Sequence, residues 1–91
     1  MEETIQDATT TGLKITILES SREHLLIRWV DSRRCHYGEQ RWRLSMARRR
    51  GYCAISGLSI HRGQPVFRPI GRPPPVNYLA MITPQAVFQL D

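Results

Sequence analysis

From Leu13 onward, apolar and polar side chains alternate with a period of two, the pattern of strands with one buried face. Leu13, Ile15 and Ile17 fall on one side of the first run, with Lys14, Thr16 and Leu18 on the other. Residues 20–23 are polar and turn-like, and residues 24–30 repeat the alternation with Leu25, Ile27 and Trp29 facing inward. Two such runs joined by a short polar link predict an antiparallel hairpin. Residues 31–34 break the pattern. Residues 41–47 resume it, with Trp42, Leu44 and Met46 inward and Arg41, Arg43 and Ser45 outward. A helix competes there, because Trp42 and Met46 are also four apart and arginine, leucine and methionine are good helix formers. The strand is preferred because the alternation covers more positions.

Residues 48–51 end that element. A short strand is predicted over residues 52–55, turns at 56–57 and 61–63, and a last short strand over 66–68. The segment 71–75 holds three prolines, which cannot donate to a ladder, and predicts an extended connector. Thr83 and Pro84 resemble a helix N-cap and first position, followed by the apolar Val87, Phe88 and Leu90. Residues 1–12 are acidic, threonine-rich and weakly apolar, and predict a flexible tail. The expected fold is therefore mainly β, one small domain over residues 13–91. It is a twisted antiparallel sheet or partly open barrel of about five strands with a short C-terminal helix.

At 91 residues and 41% apolar content, the chain supports one modest core. Trp29 and Trp42 lie in inward registers and belong to it, whereas His24 at a strand start is expected to be exposed. No run approaches the roughly 18 apolar residues of a membrane span. The acidic start at Glu2, Glu3 and Asp7 is the opposite of a basic signal peptide. Two cysteines make no disulfide framework, so the cytoplasm is the expected compartment.

Charge changes the picture more. The chain carries 13 basic and 8 acidic residues, yet between Arg33 and Arg72 the only acid is Glu39 and every base is arginine. Such a stretch needs a polyanion, an acidic partner or bulk solvent. Arg41, Arg43, Arg48, Arg49 and Arg50 fall on one strand face and its adjoining turn, with Arg62 and Arg68 able to join from the next hairpin. Guanidinium groups match phosphate bidentately, and Tyr37 and Tyr52 flank the run where they could stack on unpaired bases. The competing reading is a solvated face that guards strand edges. Glu39, alone among arginines after the bend-permitting Gly38, is expected to pair with Arg41 or Arg48.

The segment from Cys53 through Ser56, Gly57, Ile60 and Gly63 is laid out like a zinc knuckle with serine at the second thiolate position. Cys35, His36 and His61 are the remaining candidate ligands, but serine is a poor zinc ligand and adjacent residues diverge on a strand. No cofactor or metal is therefore assigned, and Cys53 is expected to be an ordinary buried thiol. No nucleophile elbow, phosphate-binding glycine loop or metalloprotease helix is present, so no enzyme is expected.

The segment His36-Tyr37-Gly38-Glu39-Gln40-Arg41-Trp42, the arginine cluster, Cys53-Ala-Ile-Ser56-Gly57 and the run from Gly63 to Pro69 together resemble an uncharacterised family of short bacterial proteins, known only as a domain of unknown function. The resemblance covers roughly residues 13–83. It implies that these motifs form one recurring unit and implies no activity. Three expectations follow from the residues. The first is a basic module contacting nucleic acid, the second an adaptor docking on an acidic protein, and the third a small zinc-stabilised domain.

Overall fold

The computed structural model describes residues 7–10 and 12–88. In chain order its elements are β1 (Asp7–Thr10), β2 (Leu13–Ser20), β3 (His24–Asp31), β4 (Cys35–Met46), β5 (Gly51–Tyr52), β6 (Ser59–Ile60), β7 (Pro65–Pro69) and α1 (Pro84–Val87). Strands β2, β3, β4 and β7 form an antiparallel sheet that β1 extends at one edge, in the order β1-β2-β3-β4-β7. The short β5–β6 pair makes a second sheet. The mainly β prediction with a terminal helix therefore holds, as an open sheet with no closed barrel.

Turn chemistry sets the hairpins. Ser21 N–H donates to the His24 carbonyl at 2.9 Å, and His24 N–H donates back to Ser21 Oγ at 3.2 Å. After β3, the Asp31 carboxylate accepts from Arg33 N–H at 3.0 Å, the side-chain turn that aspartate favours. Thr83 caps α1 by accepting from Ala86 N–H at 3.3 Å, and Pro84 follows in the first turn, where its missing N–H costs nothing.

One face of the sheet is the core, built on Ile15, Leu25, Ile27, Trp29, Trp42 and Phe67. Trp29 and Trp42 meet at 5.8 Å between ring centroids. The chain after β7 returns against this face. Tyr37 Oη accepts from Val76 N–H at 3.0 Å, the Gln40 and Asn77 amides pair, and Phe88 meets Phe67 at 6.4 Å. Ile82 then exchanges two backbone hydrogen bonds with Phe67, while Ala54 N–H donates to the Met81 carbonyl at 2.8 Å and ties in the β5–β6 hairpin.

Three expectations are corrected. Residues 1–12 are not all tail, since Asp7–Thr10 pair with β2; residues 1–6 and 11 lie outside the described residues. Met46, expected inward, is 57% exposed, because β4 ends there and Ala47 fills the buried place instead. The strand expected over residues 52–55 shrinks to Gly51–Tyr52 and one bridge at Cys53, because the chain turns at once to close on the thiol.

Candidate nucleic-acid interface

A bulge in β4 decides which side chains share a face. Ile27 lies opposite Gln40 but Trp29 lies opposite Tyr37, so three residues of β4 span what two span in β3. In an unbroken strand Tyr37, Glu39, Arg41 and Arg43 would point the same way. The extra residue at Gly38–Glu39 turns Tyr37 and Gln40 toward the core and leaves Arg41 and Arg43 exposed on the other face. Tyr37, a base-stacking candidate by sequence, is thus half-buried and turned away from the arginine face. It packs on the core, and its hydroxyl is occupied by Val76.

The buried amides fix the return loop. Gln40 Nε2 donates to Asn77 Oδ1 at 2.9 Å, Asn77 Nδ2 donates to Gln40 Oε1 at 3.0 Å, and Trp42 Nε1 donates to the same oxygen at 2.9 Å. This closed set holds the loop beside the arginine-bearing strands.

Across the β4–β7 pair, Arg43 lies directly opposite Arg68, and His24 of β3 lies opposite Arg43 on its other side. Directly opposed side chains have Cβ atoms roughly 4.5–5.5 Å apart, so the two guanidinium groups repel. They line a groove of about 720 Å³ together with Arg48 and Arg49 of the bend after β4 and Arg72 of the loop. Among the described residues no carboxylate lines it, and Tyr78 and Leu79 form part of its wall. None of the five guanidinium groups has a hydrogen-bond or ion-pair partner among the described residues.

The groove adjoins two further depressions. Arg72 is shared with one that includes Arg41, and Arg48 is shared with one that includes Arg62. Seven arginines thereby follow a continuous track. Arg50 and Tyr52 stand apart in a small recess with His61, and Tyr52 is 72% exposed. Glu39 is exposed at one end of the track and pairs with neither Arg41 nor Arg48 among the described residues. Sequence reading missed Arg72 and Tyr78, because the segment holding them shows only prolines and no periodicity.

The knuckle-like turn forms, but around one sulfur. Cys53 Sγ accepts from Ser56 N–H at 3.4 Å, from Thr83 N–H at 3.4 Å and from Thr83 Oγ1–H at 3.6 Å. Gly57 closes the turn at φ +76°, a conformation that favours glycine. Burial pushes the thiol up, but the hydrogen bonds from Ser56 and Thr83 outweigh it and hold the Cys53 pKa below the ordinary thiol value. Among the described residues no three histidine, cysteine, aspartate or glutamate side chains converge. Cys35 and Cys53 are both free, and His36 and His61 are exposed.

Fold and site together define a small, mainly β domain with an open sheet and an arginine groove that no acid lines among the described residues. Over residues 3–89 the chain matches the family model described as a domain of unknown function, DUF3331, and it belongs to that family. No curated protein matches the chain, and no solved structure does.

Proposed function

We propose that this domain is a non-enzymatic binding module that holds the phosphate backbone of a nucleic acid in the groove between Arg43, Arg68, Arg48, Arg49 and Arg72. The observation that carries the reading is the lack of a countercharge to the groove among the described residues. Five guanidinium groups line one groove without a carboxylate, two of them directly opposed across paired strands. An external polyanion relieves that repulsion, and arginine supplies the planar fork that phosphate accepts. The free thiols at Cys35 and Cys53 suit the reducing cytoplasm, where such a partner is met.

Fluorescence anisotropy with a labelled oligonucleotide across a salt series tests the reading. Five phosphate contacts predict that log K falls with log salt at a slope of roughly 3.5–4.5. Weak binding that ignores salt contradicts it.

A second reading, docking on an acidic protein, is favoured by one feature. Ile70, Val76, Tyr78 and Leu79 are exposed apolar residues on the loop beside the arginines. Interfaces between proteins place such residues centrally. Polyglutamate competing as well as an oligonucleotide of equal charge would support this second reading over the first.

A further inference from the structure

We infer that the nucleic acid taken by this groove is single-stranded, with one base stacked on Tyr78; this rests on the phosphate-binding reading above. Tyr78 is 49% exposed in the wall of the groove that Arg43, Arg48, Arg49, Arg68 and Arg72 share. Its ring joins no aromatic pair and its hydroxyl has no partner among the described residues, so the ring is free to serve a ligand. Its backbone is nonetheless held. Tyr78 N–H donates to the Pro75 carbonyl at 3.0 Å, and the preceding Asn77 is locked to buried Gln40. A platform fixed in this way gives up little conformational freedom when a base settles on it.

The shape of the molecule argues against a duplex. Reading base edges in a double helix takes a protruding helix or two-stranded ribbon. Among the described residues the only helix is the four-residue Pro84–Val87, with Val87 buried, and the β5–β6 ribbon has two residues per strand. A duplex also keeps its base faces stacked on one another, closed to Tyr78. An unpaired strand offers those faces, and an aromatic platform beside a cationic groove is how sequence-tolerant single-strand binders hold it.

The test is anisotropy with labelled oligo-dT, the same oligonucleotide annealed to its complement, and unlabelled inorganic polyphosphate as competitor. The native chain is expected to bind oligo-dT more tightly than duplex. Loss of one stacking contact predicts that Tyr78→Ala weakens oligo-dT binding about 5- to 100-fold. Tyr78→Phe keeps the platform and should bind like the native chain, while polyphosphate competes equally in all three. Tyr78→Leu, which keeps apolar bulk without the ring, should lose affinity as alanine does and guards against a folding defect in the alanine variant. Oligo-dT binding that survives both Tyr78→Ala and Tyr78→Leu, or duplex bound at least as tightly, overturns the single-strand inference and leaves the anion groove standing. Failure of oligonucleotide and polyphosphate alike removes the groove reading itself, and the inference with it.

Discussion

At the scale of single residues, Arg43 carries the conflict on which the functional reading turns. It faces Arg68 on one side and His24 on the other, with no acid among its cross-strand neighbours. Like charges directly opposed cost roughly 0.2–1 kcal/mol, so the unliganded domain holds a destabilised pair. Arg43→Gln should therefore raise Tm at low salt by a few degrees, and the gain should shrink as salt screens the pair. The same substitution should weaken oligonucleotide binding. Thermal melts at low and high salt beside one binding isotherm check all three; a variant that melts lower than the native chain at low salt contradicts the account. A gain in stability tied to a loss of binding separates a functional cluster from a solubilising surface, where both effects would be near zero.

The decisive element is the loop between β7 and α1, held by Gln40, Asn77 and Trp42. Asn77→Ala leaves the buried Gln40 Nε2–H without an acceptor, which costs about 1–3 kcal/mol and lowers Tm by roughly 5–20 °C. It also frees the segment carrying Tyr78, so affinity should fall further than stability alone explains when measured well below the melt. Unchanged melting would show that the amide pair does not hold the loop. The strands themselves were legible in the sequence, because alternation at Leu13–Ile17, Leu25–Trp29 and Trp42–Leu44 is a local signal. The helix start at Thr83 and Pro84 was legible for the same reason. The bulge at Gly38–Glu39 was not, since strand pairing, and not composition, decides where an extra residue is absorbed. One residue of register moved Tyr37 from the arginine face to the core.

For the whole molecule, a net charge of +5 understates the asymmetry, because seven of the ten arginines of the central stretch collect along one track, with Glu39 the acid beside it among the described residues. The sequence made the abundance of arginine plain, and four of its nine candidate residues (Arg43, Arg48, Arg49 and Arg68) line the main groove. Arg72 and Tyr78 joined them only through a contact 37 positions apart in the chain, between Gln40 and Asn77. No local pattern encodes such a contact. The account stands or falls on whether those five guanidinium groups act together. Following the arginine Nε–H resonances by NMR during an oligo-dT titration tests this most directly. Arg43, Arg48, Arg49, Arg68 and Arg72 should shift together and most strongly, while Arg22, Arg33 and Arg34, outside the groove lining, stay near their free positions. Shifts of equal size at all arginines, or centred on Arg33 and Arg34, would contradict it.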